Sequence, residues 1–498
     1  MARALVFAAV DLGAESGRVV AGRLDGGSVA VEVVHRFANR SQWLPDGLHW
    51  NVALLFSDTL EGLARAHASQ PLDGIGVDAW GVDYALLDGE RRMLGLPFHY
   101  RDDRVSDEVM SRAHARVSRE ELYRRTGIQT MPINTIYQLV AEDRSGAAVA
   151  GEAIALVPDL FNLWLTGELA NEATIASTTG LLEATGQRWA SDLIARLEIP
   201  VRPFGGEVRA PGRALGSVLE QHGPVAGTAV HLVASHDTAS AFAGTPLEGP
   251  AVAVLSSGTW SLLGVEIGEP MLGPDAAAFN LTNERGVDGT IRLLRNVMGL
   301  WLLQECRRAW SAAGHVLDYD ELRRLAAAAP ADVPLFDPDH PSLLRSGDMP
   351  ALIAGACAAA GQAEPAGPGE LTRSILVSLA CKYRLVLEQL RLVTGRRFEA
   401  VHVVGGGIRN TLLCQLTADV LGLPVLAGPE EATALGNVLV QARSCGELGS
   451  LDEMRELVRG SVRVERFEPG GGRPANDIYE RFLSVTGLEA ARPAKVAA

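Results

Sequence analysis

Two stretches, one at the start of the chain and one just past its middle, follow the same plan. In "ALVFAAVDLGAESGRVVAGRLDGG", Val6 to Val10 reads as an apolar strand and Gly13 to Gly17 as a turn. Arg18 to Leu24 alternates as a second strand, "DGG" makes a hairpin turn, and Ser28 to His35 alternates again. Around residue 250 the pattern returns: "GPAVAVLSSGTWSLLGVEIG" is strand, tight turn and strand, again with glycine and hydroxyl residues between the strands. A repeated strand–turn–strand unit predicts two related lobes, each with its own sheet; two independent hairpins are the alternative. A length of 498 residues suits two large α/β lobes. The boundary is expected within 240–250, at the linker-like "GTPLEGP", giving lobes at 1–245 and 246–480 and a frayed tail at 481–498.

Helical patterns fall between the strands, at about Val52–Ser69, Glu120–Thr126 and Asn134–Ala141, and in "ALVPDLFNLWLTG", opened after Pro158 and stopped by Gly167. "IGVDAWGVDYALLD" reads as strand with a turn around Gly81. The second half closes with strand–loop–helix, "FEAVHVVGGGIRNTLLCQLTADVLG", then "PEEATALGNVLVQA"; 357–370 reads as a surface loop. A net charge of −15 without a basic cluster argues against nucleic acid or an anionic membrane as partner. No apolar run approaches the roughly 18–20 residues of a membrane helix. Five scattered cysteines form neither a disulfide framework nor a zinc pattern. The opening residues do not read as a signal peptide, so a cytoplasmic protein is expected.

Lysine occurs only at Lys382 and Lys495. There is therefore no G-x-x-x-x-G-K-[ST] and no strand lysine of the protein-kinase type. Any nucleotide phosphates must be held by backbone N–H groups, a metal and arginine.

Three stretches carry candidate chemistry. In "VDLGAESG", Gly13 and Gly17 permit positive φ and close backbone approach, turn amides can form an anion-binding concavity, and Asp11 can hold a hydrated Mg²⁺. An ordinary surface hairpin explains the same residues. "LSSGTWS" offers similar amides with the hydroxyls of Ser256, Ser257 and Thr259, and "VVGGGIRN" sets a glycine run between strand and helix. In "HLVASHDTASAF", Asp237 reads as a helix N-cap, as a metal ligand with His236, or as a base aimed at a hydroxyl.

Taken in order, "VDLGAESGR", "GVDAWGVDYALLD", "YRDDR", "NTIYQL", "PDLFNLWLTGE", "ASHDTASA", "LSSGTWSLLG", "LLRNVMGLWLLQE", "VVGGGIRN" and "EATALGN" resemble the FGGY carbohydrate kinases over residues 5–445. "DAWGVDY", "SHDTAS" and "RNVMGLWLLQ" are similar to the branch that acts on L-rhamnulose. The resemblance implies a two-lobed actin-like (ribonuclease H-like) ATPase fold with a central cleft. It implies transfer of the γ-phosphate of MgATP to the 1-hydroxyl of L-rhamnulose, with the sugar and ATP as small-molecule partners. Asp237 matches the base; Gly81, His236, Thr238 and Asn296 match sugar contacts, and Trp80 and Asp83 are expected to shape the sugar pocket. Gly13, Ala14, Glu15, Ser16, Gly17 and Arg18, with Thr259, Gln304 and Gly406, match nucleotide contacts. Glu15 departs from the pattern, in a turn where a small or hydroxyl residue fits phosphate better, and so does Asn51, where the family often shows Asp.

A free aspartate, with pKa about 3.9, is a weak base toward an alcohol. In a loose phosphoryl-transfer transition state it need only orient the oxygen and take the proton late. The alternatives are another ketose or polyol, such as L-fuculose or D-xylulose, an actin-like ATP-binding regulator, or a nicotinamide dehydrogenase built on "GGGIRN" with Glu430 or Glu431 as its acid. The twin hairpins have no place in the last of these.

Overall fold

The computed structural model describes residues 3–142, 146–470 and 474–493. Its chain forms two compact units. The first comprises 1–246, 266–293 and 431–462, and the second 247–265, 294–430 and 463–498. Neither is a single stretch of chain: two later segments complete the first unit.

The first unit is built on a six-stranded sheet in the order Arg213–Ser217, Ala229–Leu232, Gly74–Ala79, Leu5–Leu12, Ser16–Asp25, Ser28–Ala38. Leu5–Leu12 pairs antiparallel with Ser16–Asp25 and parallel with Gly74–Ala79. Both Leu5–Leu12 and Gly74–Ala79 are buried almost throughout, which is why they lack the apolar/polar alternation of the outer strands. The helix Asp237–Ala243 meets the helix Ala432–Ser444 at very short range. A Cβ on Gly436 would lie 1.8 Å from the Ser240 carbonyl oxygen, and one on Gly244 would lie 2.1 Å from that of Ala432. These two helices close a core of Phe7, Ala9, Val20, Val233, Ala239, Val438 and Leu439. The helix Val52–Ser69 lies where its apolar spacing predicts, with Asn51 as N-cap accepting from the Leu54 amide at 3.2 Å.

In the second unit, Trp260–Ile267, Val252–Ser257, Ala400–Val404, Val425–Ala427 and Glu465–Phe467 are successive neighbours in one sheet. The 28-residue helix Gly367–Thr394 packs with the last helix, Pro474–Thr486, around Val377, Ala380, Leu385 and Phe482. Lys382 is buried there, with Nζ 2.7 Å from Asp337 and 3.0 Å from Asp339; Lys495 lies outside the described residues. Among the described residues no helix is long and apolar enough to cross a membrane.

The structure departs from the sequence-based expectations at several points. Gly13 and Gly17 do not adopt positive φ; Gly26 and Gly27 do, at 56° and 86°. Gly17 is needed for space, because a Cβ there would stand 2.2 Å from the Phe37 ring. The surface loop expected at 357–370 shrinks to 360–366, since helices end at Ala359 and begin at Gly367. The tail expected to fray from 481 continues the last helix to Thr486, held by the fully buried Phe482; residues 494–498 lie outside the described ones.

Candidate active site

The register of the first sheet sets charged residues side by side. Asp11, on Leu5–Leu12, is paired with Arg18 on one neighbour and with Asp78 on the other. Arg18 Nη2 lies 2.6 Å from Asp11 Oδ2 and Arg18 Nε 2.9 Å from Glu431 Oε2, so the arginine is clamped between two carboxylates. Asp78 is fully buried. Its Oδ2 accepts from Asn437 Nδ2 at 2.6 Å, while its Oδ1 is buried without a hydrogen-bond partner among the described residues. Burial holds the Asp78 carboxyl well above the usual carboxylate range, and the charge of Asp11 pushes the same way.

Gly74–Ala79 also positions the strand end that carries Asp237. Ala79 bridges to His236, and the Ala79 amide donates to the Ser235 carbonyl at 2.9 Å. Asp237 is the first residue of its helix; His236 occupies the N-cap position, so the capping reading of Asp237 does not hold. Asp237 Oδ1 accepts from the Thr238 amide at 2.6 Å, and its side chain keeps 30% exposure, leaving one face open. Water is removed from its other sides, which raises its pKa; His236 opposes the shift and Asp11 reinforces it.

Behind Asp237 stands a buried polar group that sequence reasoning missed. His236 Nε2 is 3.4 Å from Asp237 Oδ1, and His236 Nδ1 is 3.0 Å from Arg292 Nη2. Arg292 is fully buried and pairs with Glu284 at 3.2 Å. Glu172, also fully buried, accepts from the Ser235 amide at 3.1 Å and from Thr174 Oγ1 at 2.5 Å, and Thr174 Oγ1 accepts from the His236 amide at 3.1 Å. Both amides preceding Asp237 thus hang from one carboxylate, whose pKa burial pushes up to about 7. The signal available in the sequence was a charged residue inside an apolar stretch, as in "GIGVDA" for Asp78 and "TIRLL" for Arg292.

Trp80, Gly81 and Asp83 form one turn. Val82 inside it takes φ of 72°, a strained value for a β-branched residue. Its amide is held by Thr178 Oγ1 at 3.1 Å, and a Cβ on Gly81 would meet the same threonine at 3.1 Å. Asp83 is buried and accepts from the Trp50 and Trp80 indoles at 2.5 and 2.9 Å and from Gln138 Nε2 at 2.9 Å. Its carboxyl is pushed up to about 6 by burial, against those hydrogen bonds. Asp83 therefore orients Trp80 from behind.

In the first hairpin, the Gly13 amide donates to the Ser16 carbonyl at 3.1 Å, and Asn39 Nδ2 ties down the Gly13 carbonyl at 3.0 Å. Ala14 and Glu15 form the tip of this turn. In the second unit the corresponding turn, Gly258–Thr259, is braced by the segment opening the helix Trp301–Ala312. The Leu300 amide donates to Gly258 at 2.9 Å and the Trp301 amide to Thr259 at 3.2 Å. Gln304 lies on the first turn of that helix and Asn296 on the strand Ile291–Met298. Gly405, with φ of 85°, and Gly407 pack on Ser257; a Cβ on Gly407 would reach 2.0 Å from Ser257 Oγ, while one on Gly406 would meet nothing. Within this unit Thr259, Gln304 and Gly406 are thus carried by mutually braced segments.

Paired hairpin sheets and a partly exposed acid at a helix start define a class that comparison with known proteins confirms. The model for the FGGY family of carbohydrate kinases, N-terminal domain, matches residues 6–244, and that for the C-terminal domain matches 253–445. The chain belongs to the FGGY family of carbohydrate kinases. Within it, the chain is 39% identical over 469 residues to a protein named rhamnulokinase from Bacteroides thetaiotaomicron, covering 93% of this chain and 96% of that one. It is 40% identical over 490 residues to a rhamnulokinase from Enterococcus faecalis, covering 97% and 98%. Among solved structures it superposes on gluconate kinase from Lactobacillus acidophilus with a TM-score of 0.75 at 15% identity, covering 98% and 97% of the two chains. It also superposes on Plasmodium falciparum glycerol kinase with ADP, with a TM-score of 0.73 at 14% identity and 96% of each chain covered. The fold is the two-domain actin-like ATPase fold.

Proposed function

We propose that this chain is an ATP-dependent kinase that transfers the γ-phosphate to the 1-hydroxyl of L-rhamnulose, giving L-rhamnulose 1-phosphate and ADP in the cytoplasm. The observation that carries the substrate is identity of about 40% to rhamnulokinases over nearly the whole chain. What supports the chemistry is an open-faced carboxylate, Asp237, fixed at a helix start by the braces behind it.

Asp237 accepts the proton of the 1-hydroxyl as the oxygen attacks the γ-phosphorus and the bond from that phosphorus to the β,γ-bridging oxygen breaks, releasing ADP. With the transition state loose, the carboxylate chiefly aligns the attacking oxygen. Gly81, His236, Thr238 and Asn296 are assigned to the sugar, with Trp80 shaping the pocket and Asp83 holding Trp80. Gly13 to Arg18, Thr259, Gln304 and Gly406 are assigned to ATP. Arg18, clamped by Asp11 and Glu431, serves more as a support of the turn than as a free phosphate ligand.

A divalent cation fits the first unit. Asp11 and Asp78 are adjacent carboxylates, and the partnerless Asp78 Oδ1 is the kind of buried oxygen a hard cation satisfies. These two residues would hold Mg²⁺, through water at Asp11, and the ion would supply neutralisation of phosphate charge.

The test is ADP release from MgATP with L-rhamnulose, L-fuculose, D-xylulose and glycerol offered in parallel. L-rhamnulose is expected to be strongly preferred, and Asp237→Asn to lower kcat by about 10²–10⁴-fold. Preference for another sugar would overturn the substrate and keep the kinase; no sugar-dependent ADP would overturn both.

A further inference from the structure

Arg292 and Glu284 have no part in the reaction just described, yet they place a fully buried cation against the residue next to the base. Removing a guanidinium from water costs several kcal/mol, and an ion pair with a carboxylate offsets this only in good geometry. Arg292 is held on three sides: Nε donates to the Arg285 carbonyl at 3.1 Å, Nη2 pairs with Glu284 Oε2 at 3.2 Å, and Nη2 donates to His236 Nδ1 at 3.0 Å.

The last contact decides the protonation pattern of His236. A guanidinium is donor-only and does not lose its proton in a protein. A nitrogen at hydrogen-bond distance from it must therefore present a lone pair. With Nδ1 so engaged, the single proton of the neutral ring sits on Nε2, the atom 3.4 Å from Asp237 Oδ1. Glu284 Oε2 is also near Nδ1, at 3.3 Å, but the same oxygen is already shared with Arg292. The charged groups facing the ring are thus Asp237, Glu284 and Arg292, with Glu172 and Glu266 acting on Arg292 from further out.

We propose that Arg292, neutralised by Glu284, is a positioning residue that fixes His236 as the Nε2–H tautomer, so that Asp237 alone accepts the substrate proton. This deepens the kinase reading and rests on it for its meaning. The imidazole, its only lone pair capped, donates and does not compete as a base. Together Asp237 and His236 then present an acceptor beside a donor. That pair suits two neighbouring oxygens of which one gives a proton and one receives a hydrogen bond, as the hydroxyl and C2 oxygen of a 1-hydroxy-2-ketose do.

The test reads the ring directly. The full-length chain, ¹⁵N-labelled at histidine and without sugar or ATP, is examined by long-range ¹H–¹⁵N correlation at pH 8, with His236→Gln assigning the signal among the 11 histidines. A pyridine-type Nδ1 and pyrrole-type Nε2 are expected. The reverse pattern would overturn the proposal. In the variant arm, Arg292→Met leaves Nδ1 without its donor, and the ring nitrogens are expected to move away from the parent pattern toward a tautomer mixture. Arg292→Lys, which again offers only a donor, restores the parent pattern. An unchanged pattern in a folded Arg292→Met variant would also overturn it. Because neither arm needs substrate, loss of the kinase reading would leave the Nε2–H pattern intact, and the two failures are told apart.

Discussion

Asp237, the proposed base, can accept a proton only in its charged form, and its surroundings oppose that form. Burial raises its pKa, so the acid limb of kcat/KM is expected above the value of about 3.9 for a free aspartate, with activity falling as pH drops through it. Glu172 provides a separate readout, in stability. Its folded pKa of about 7 lies above the ordinary 4.5, so the native state binds the proton more tightly than the unfolded chain. The resulting stabilisation is complete below the unfolded value and is lost as pH rises through 7. Urea melts of the full chain at pH 5 and pH 8 should therefore show a loss to which Glu172 contributes roughly 2 kcal/mol, absent in Glu172→Gln. An equal loss in the variant would show that the carboxyl does not titrate in this way. Of these residues, Asp237 was legible because "SHDTAS" ends an apolar strand and resembles a family motif. Glu172, Glu284 and Arg292 were not: the contacts that tie them to Ser235 and His236 span roughly 50 to 60 positions, and sequence spacing does not report such contacts.

The elements were easier to read than the contacts between them. Amphipathic spacing placed Val52–Ser69, and the turn glycines of "DGG" marked the hairpin between Ser16–Asp25 and Ser28–Ala38. Gly13 and Gly17 invited a conformational reading, whereas Gly17 exists to let Phe37 lie on the strand. Sequence alone does not distinguish a glycine kept for its φ from one kept for space. The same holds for Gly436 and Gly244, which let the helix bearing Asp237 touch its neighbour. Gly436→Ala would put a Cβ 1.8 Å from a carbonyl oxygen, a backbone atom that no rotamer change moves aside. The expected result is destabilisation of 1–3 kcal/mol or more, with a fall in kcat as the helix shifts. Thermal melts and initial rates check both, and a variant equal to the parent in each would contradict the packing described.

At the scale of the molecule, the two family domains are consecutive, 6–244 and 253–445, but the compact units are not. The first unit's core draws Val438, Leu439 and Met454 from the segment 431–462, against Phe7 and Val20. A fragment ending at Pro246 is therefore expected not to fold, although it contains the whole N-terminal family domain. Dispersed amide proton signals from such a fragment would refute this. The repeat in the sequence announced two sheets, but nothing in it announced that helix Ala432–Ser444 returns to the first.

That return has a consequence for how the protein is made. The ribosome must add about 200 residues beyond Pro246 before the first sheet receives its last helices, which at about 5–20 residues per second is roughly 10–40 s. Through that interval the apolar strand Leu5–Leu12 and its neighbours wait incompletely covered. Synthesis of this enzyme should accordingly be more sensitive to holding chaperones than refolding of the finished chain.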